Sequence, residues 1–129
     1  MRLTNYLNEG YTHYWEKQEF SDEQWTKILK GAKKIIKAAE AKKIKIMGSD
    51  GTGNPVLSST EIVLNGDGEK DKSYETFSVS KKMSKGDFCK TERKPYDKVA
   101  VSILALMKEV NPAFKVKSDG GLKAIKRVF

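Results

Sequence analysis

A single imidazole and a single thiol are the side chains in this sequence best suited to covalent catalysis. His13 is the only histidine and Cys89 the only cysteine, and residues far apart in a chain can still meet in the fold as base and nucleophile. The aromatic residues around His13 favour a packed or surface histidine instead. We therefore predict that the protein is not an enzyme, with an activity based on Cys89 left open. One cysteine permits no internal disulfide, which fits a reducing cytosol.

Neither a metal site nor a phosphate-binding loop follows from the residue spacing. A zinc site needs three or four Cys, His or carboxylate ligands at short intervals, and the sequence has no such group. Asp67, Glu69 and Asp71 resemble the start of a calcium loop, but Lys72 stands where that loop requires glycine. The glycine-rich residues 48–53 lack the Lys-Ser/Thr ending and the following helix of a P-loop. We predict no metal and no cofactor.

Basic residues are concentrated in three stretches of the chain. The formal net charge is +8, from 25 Lys and Arg against 17 Asp and Glu. Residues 27–45 contain eight lysines and one glutamate, and further basic excess lies in residues 80–98 and 99–129. Such a distribution favours a polyanionic partner, such as nucleic acid or a nucleotide, without establishing one.

The basic segment before the second predicted helix is the first candidate site. Cations surround the only thiol there, and both cations and a helix N-terminus attract anions. The alternative is a structural role, with Phe88, Cys89 and Tyr96 packed and Asp97 interacting with the helix dipole. The predicted ligand-binding residues are Lys85, Cys89, Lys90, Thr91, Arg93, Lys94 and Tyr96.

A column of lysines on the first predicted helix is the second candidate site. The column could follow the phosphates of a nucleic acid, although charge runs are more often a solvated helix face. No arginine or aromatic residue interleaves with it, so base-specific recognition is not indicated. With the basic tail, the residues of this nucleic-acid site are Lys27, Lys30, Lys34, Lys37, Lys123, Lys126 and Arg127.

Two helices have clear sequence patterns. Ser21 followed by Gln24 forms a capping-box sequence, and apolar residues from Trp25 to Ala39 recur at helical spacing, which predicts a helix over residues 22–41. A second helix is predicted from about Pro95 to Val110. It has almost no polar face, so we expect it to be the most buried element.

Strands are predicted in five short segments: residues 11–20, 43–47, 60–64, 74–80 and 114–117. Asn65-Gly66 favours a tight turn. Residues 67–72 are predicted to form a charged loop, and residues 81–94 are predicted to form a basic loop. The order β-α-β-β-β-α-β predicts an α+β fold, with two helices packed on a mainly antiparallel sheet. We expect a single domain over residues 1–129, with a basic tail from about residue 121.

Neither a membrane span nor a secretory signal is predicted. The uncharged segment 99–107 is too short to cross a bilayer. Met1 to Glu9 lack the basic start and the apolar run of a signal peptide. We therefore expect a cytoplasmic protein with no membrane partner.

Several short motifs in the chain resemble those of a family of small bacteriophage and bacterial proteins. The resemblance extends from about Tyr14 to Gly120 and is most specific in the Phe-Cys-Lys-Thr and Pro-Tyr-Asp motifs. After Gly120 the chain is basic, whereas the family ends in an acidic, tryptophan-containing segment. The matching residues are Trp25, Asn65-Gly66, Tyr74-Glu75-Thr76-Phe77, Phe88-Cys89-Lys90-Thr91, Pro95-Tyr96-Asp97 and Ser118-Asp119-Gly120.

The resemblance carries no established activity. It implies a phage-encoded accessory protein that interacts with a host component in the cytoplasm of the infected cell, for example in counter-defence. Together with the charge, it predicts a non-enzymatic protein that binds an anionic small molecule or a host protein. The alternative is a sequence-independent nucleic-acid-binding protein. The oligomeric state does not follow from the sequence.

Overall fold

Two helices and three small antiparallel sheets form the part of the chain that the structure describes, residues 11–129 of a computed structural model. The fold is α+β, as the sequence predicts. Three short 3-10 helices lie in the connections, at Ser49–Gly51, Gly68–Lys70 and Leu122–Ala124. Within the described residues no helix combines the length and the apolar character needed to cross a membrane.

The two helices pack against each other. Helix α1 (Asp22–Ala41) begins at Ser21, where the predicted capping box is formed: Gln24 N donates to Ser21 Oγ at 3.1 Å, and Ser21 N donates to Gln24 Oε1 at 3.0 Å. Helix α2 spans Asp97–Val110, and every residue from Val99 to Met107 is buried. The second helix is therefore surrounded by the core, as its apolar sequence predicts.

The first sheet has the order β7-β1-β8, with β1 (Thr12–Trp15) in the centre. Strand β7 (Asp87–Lys90) and strand β8 (Val116–Ser118) pair with β1 in antiparallel orientation. His13 lies opposite Cys89 on one side and Ser118 on the other. Because side chains alternate along a strand, these three residues share the inner face of the sheet, and Tyr14 lies on the outer face.

The other two sheets are smaller. One has the order β3-β4-β5, formed by Val56–Leu57, Glu61–Leu64 and Phe77–Ser80. The other pairs β2 (Gln18–Glu19) with β6 (Lys82–Met83). Ile62, Leu64, Phe77 and Val79 are buried and join the same hydrophobic core as α1 and α2.

Two predictions around Asn65 are wrong. Residues 43–47 do not form a strand, since Lys43 has a left-handed φ of 65° and only Met47 forms an isolated bridge, to Asn65. Asn65-Gly66 does not form a tight turn, since neither residue has a positive φ; strands β4 and β5 form an antiparallel pair, and residues 65–76, which include the predicted charged loop 67–72, connect them. The buried Asn65 side chain explains this, because it bonds the backbone of Tyr74 at both O (3.0 Å) and N (3.1 Å) and so closes a wide loop.

The predicted basic loop over residues 81–94 is also wrong, because it contains β6 and β7. In β7 the charged Asp87 and Lys90 flank only two apolar residues, a pattern too short to predict a strand. The final strand is also shifted, to Val116–Ser118.

Candidate functional site

Three of the seven predicted ligand-binding residues lie inside the protein. Cys89, Thr91 and Tyr96 each have 0% of their surface exposed. The Thr91 hydroxyl donates to Asp97 Oδ1 at 2.6 Å, and the Tyr96 hydroxyl donates to Glu75 O at 2.5 Å. These side chains make contacts within the fold and present no surface to a ligand.

The environment of the Cys89 thiol raises its pKa, whereas the environment of a reactive cysteine lowers it. Burial, and to a smaller extent the charge of Glu75, raises its pKa to about 12. Cys89 is the cross-strand neighbour of His13, but the two ring nitrogens of His13 bond to Asp97 and Ser118. At neutral pH the thiol is therefore protonated, and a nucleophilic thiolate is not available.

The four cations of the same segment have separate surroundings. Lys94 Nζ donates to Asp71 O at 3.1 Å, and the Arg93 guanidinium lies over the Tyr11 ring, 4.1 Å from its centroid. Lys85 lies in the turn between β6 and β7, whereas Lys90 ends β7. The four cations of the predicted anion site therefore have different contact partners.

The lysine column lies on the exposed side of α1, opposite its buried stripe. Lys27, Lys30, Lys34 and Lys37 form no salt bridge with any described residue. In the basic tail, Lys123 and Lys126 are exposed, whereas Arg127 lies 3.7 Å from Glu109. The tail is held on α2, where Ser102 Oγ accepts from Val128 N at 2.9 Å.

A hydrogen-bonded chain links the buried His13 to the half-buried Asp97 and Ser118, and neither of the latter two was a predicted site residue. His13 Nε2 lies 2.5 Å from Asp97 Oδ1, and His13 Nδ1 lies 2.9 Å from Ser118 Oγ. The order resembles that of a catalytic triad, but His13 is 0% exposed and a general base must reach the proton that it removes. These hydrogen bonds therefore join β1, β8 and α2. No local sequence signal could find the hydrogen-bonded chain, because its members come from three distant segments.

Two neighbouring aromatic rings are exposed on the outer face of the first sheet. Tyr14 on β1 lies directly opposite Phe88 on β7, and their ring centroids are 6.3 Å apart. Tyr14 is 41% exposed and Phe88 is 55% exposed. Exposed apolar side chains that lie next to each other, in contrast to single scattered ones, can mark a binding surface.

Lysines flank these rings on both sides. Lys117 on β8 lies opposite Tyr14, and Lys90 lies two residues after Phe88 on the same side of β7. Neither lysine forms a salt bridge with another residue in the range 11–129. We refer to Tyr14, Phe88, Lys90 and Lys117 together as the outer face.

The nearby carboxylate of Asp119 is already engaged. Its Oδ2 accepts from Thr12 N at 3.0 Å, and its Oδ1 accepts from the Tyr14 hydroxyl at 3.2 Å. The outer face thus bears two flat rings and two lysines, with the Asp119 carboxylate held beside Tyr14. Residues 11–20 were predicted as a strand, in which the neighbours His13 and Tyr14 point to opposite faces. Phe88 was missed because its segment was predicted as a loop, and the structural alternative expected Phe88 to be packed.

A cleft adjoins the outer face at the β8 edge. Its volume is about 630 Å³, and Tyr14 and Lys117 belong to both the cleft and the outer face. The full lining is Tyr14, Trp15, Glu16, Lys108, Lys115, Val116 and Lys117. In the described part of the chain no group of three or more His, Cys, Asp or Glu side chains is arranged to hold a metal ion.

Comparison with known proteins adds no relative. No protein-family model matches the chain, and neither a curated protein nor a solved structure is significantly similar to it. Functional inference therefore depends on the geometry of the outer face and the cleft.

Proposed function

We propose that this protein binds single-stranded nucleic acid without sequence specificity, through the outer face. The observation that carries the proposal is the pair of exposed rings, Tyr14 and Phe88, between lysines that have no ion-pair partner among residues 11–129. Exposed aromatic rings stack on bases, and lysines neutralise phosphates, so the two residue types together suit an unpaired strand.

The spacing of the rings supports a single strand over a duplex. Their centroids are 6.3 Å apart, whereas the bases of a duplex strand rise by about 3.4 Å and keep their faces stacked on one another. A strand that places one base on each ring must therefore be extended. The faces of its bases are then free to stack on Tyr14 and Phe88.

The side chains of the outer face support binding without base readout. Base edges are usually read by Arg, Lys, Asn, Gln, Glu or Asp side chains that a rigid element holds at defined positions in a groove. The outer face offers two rings and two lysines, which contact features common to every nucleotide. Stacking and phosphate contacts vary little with sequence.

The first hypothesis from the sequence, an anionic ligand at residues 85–96, stays a prediction. Its support is reduced because Cys89, Thr91 and Tyr96 are fully buried. Lys90 is the one member of that set that also belongs to the outer face. Action in the cytoplasm of a phage-infected cell likewise stays a proposal, based on the resemblance alone.

The proposal is tested by fluorescence anisotropy with a labelled oligothymidylate at low and near-physiological salt. Stacking contributes about 1–3 kcal/mol per base, so Phe88→Ala should weaken binding by about 5- to 150-fold. Val56→Ala is the control, because Val56 is a large hydrophobic residue that is 41% exposed and lies on β3, in a separate sheet. Its removal should leave the affinity unchanged.

Charge variants then locate the phosphates. Replacing Lys90 and Lys117 by Gln should reduce the log–log slope of affinity against salt by about 0.7 for each phosphate that is no longer neutralised. The double variant Lys30→Gln/Lys34→Gln makes the same charge change on α1. If only the α1 variant weakened binding, the lysine column would be the site and the present proposal would be wrong.

A further inference from the structure

Asn65 and Gly66 form the one Asn-Gly pair in the sequence, and such a pair has a reaction of its own. The backbone nitrogen of the glycine can attack the side-chain carbonyl carbon of the asparagine, because no Cβ shields that nitrogen and the glycine backbone turns freely. The new N–C bond closes a succinimide ring, and the side-chain nitrogen leaves as ammonia with the proton of the glycine nitrogen. Water then opens the ring to aspartate or isoaspartate.

The fold requires both residues of this pair. A Cβ on Gly66 would collide with the carbonyl oxygen of Lys72, so only glycine fits there. The Asn65 side chain is fully buried and uses all the hydrogen-bonding groups of a carboxamide. Its Oδ1 accepts from Gly66 N at 2.7 Å and from Tyr74 N at 3.1 Å. Its Nδ2 donates to Tyr74 O at 3.0 Å and to Thr76 Oγ1 at 3.2 Å.

The same contacts keep the pair unreactive in the folded protein. Ring closure requires Gly66 N to approach Asn65 Cγ from above or below the carboxamide plane. In the structure the Gly66 N–H instead points at Asn65 Oδ1. The bonds to Tyr74 and Thr76 prevent the carboxamide from turning. Cyclisation therefore requires the loop of residues 65–76 to open, and its rate should fall with the fraction of molecules in which that loop is open.

Conversion of Asn65 would weaken the attachment of this loop. Aspartate at position 65 has no donor for Tyr74 O and places a carboxylate oxygen where Nδ2 met that carbonyl. Isoaspartate also lengthens the main chain beside the bridge between Asn65 and Met47. The effect extends to β7, because Glu75, the neighbour of Tyr74, pairs with Lys90: Glu75 N donates to Lys90 O at 3.2 Å, and Lys90 N donates to Glu75 Oε1 at 2.7 Å.

We propose that Asn65-Gly66 is a deamidation site that the fold keeps closed, and that its conversion releases residues 65–76 from the sheet and from the edge of β7. Because the conversion is irreversible, the opening of this loop limits the lifetime of the intact protein. The proposal goes beyond the proposed function and does not depend on it, since every group in the reaction belongs to this chain or is water.

The first test compares deamidation in the folded and the denatured protein. Samples are kept in mildly alkaline buffer with and without guanidinium chloride, and their peptides are analysed by mass spectrometry. Asn65 should convert at least about tenfold more slowly in the folded sample. Asn54 is the internal control, because it is exposed but precedes Pro55, whose nitrogen carries no proton, and it should stay unconverted in both samples. Equal rates at Asn65, or no conversion in denaturant, would overturn the proposal.

The second test measures the effect of conversion on stability by urea unfolding. Asn65→Asp should raise the unfolding equilibrium constant by about 5- to 150-fold, the usual effect of a buried polar group left without its partner. Asn54→Asp, the same change on an exposed residue, should leave it nearly unchanged. If Asn65→Asp does not fold, partly deamidated wild type is refolded from denaturant, and its native fraction should be depleted in chains converted at residue 65. Equal stabilities of the two variants, or no depletion, would contradict the proposal.

Discussion

At the scale of single residues, exposure separates the side chains that can meet a ligand from those that hold the fold. Tyr14 and Phe88 project from the outer face, whereas their strand neighbours His13 and Cys89 are fully buried. Cys89 is the clearest case, because the cations near it in sequence suggest an activated thiol and its burial has the opposite effect. The immediate sequence neighbours of a residue therefore do not define its electrostatic environment.

Cys89 should resist alkylation in the folded protein. Its pKa is raised from 9.0 to about 12, so at pH 8 the native thiol is protonated and buried, and iodoacetamide should label it only after unfolding, as measured by mass spectrometry. The folded state binds this proton more tightly than the unfolded state. Unfolding free energy should therefore fall as pH rises from about 9 towards 12.

Cys89→Ala provides the control for that pH dependence. It removes the ionisable thiol, so its unfolding free energy should fall less steeply with pH above 9 than that of the wild type. Rapid labelling of native Cys89 at pH 8 would contradict this account and would revive the thiol-based activity.

At the scale of elements, a hydrogen-bonded chain fixes the sheet that carries the outer face. His13 of β1 bonds to Ser118 of β8 and to Asp97 at the start of α2. Thr91, which follows β7, adds a further bond to Asp97. The strands that bear Tyr14, Phe88 and Lys117 are thereby joined to the most buried helix.

Replacing Asp97 by Asn should destabilise the protein by about 1.5–3 kcal/mol, the usual contribution of a hydrogen bond to a charged group. The measurement is urea unfolding followed by circular dichroism. Asp50→Asn is the matched control, because Asp50 is exposed and an exposed substitution usually changes stability by less than about 0.5 kcal/mol. Equal stabilities of the two variants would show that the buried chain contributes little.

Local signals explain which elements were predictable. Helix α1 was predicted at its observed bounds because Ser21, Gln24 and the apolar stripe all lie within the helix or beside it. Strand β7 was not predicted, because its partner β1 lies far away in sequence. Only the pairing with β1 makes Phe88 an outward-facing residue. The same reason hid the outer face, since its two rings come from strands that meet only in the fold.

At the scale of the whole molecule, two surfaces carry lysines that form no salt bridge with a described residue. One is the lysine column of α1, and the other is the outer face with the adjoining cleft. Charge alone cannot choose between them, because both would attract a polyanion and both would lose affinity with salt. The aromatic pair distinguishes the outer face from the lysine column, since no aromatic residue interleaves with Lys27, Lys30, Lys34 and Lys37.

The most direct test of the central claim is to find where a bound strand lies. An oligonucleotide containing 5-bromodeoxyuridine is cross-linked to the wild-type protein by ultraviolet light, and the adducts are mapped by mass spectrometry. If the strand lies on the outer face, adducts form at Tyr14 or Phe88 and disappear in the Tyr14→Ala/Phe88→Ala variant. Adducts confined to α1 or to the basic tail, unchanged in that variant, would contradict it.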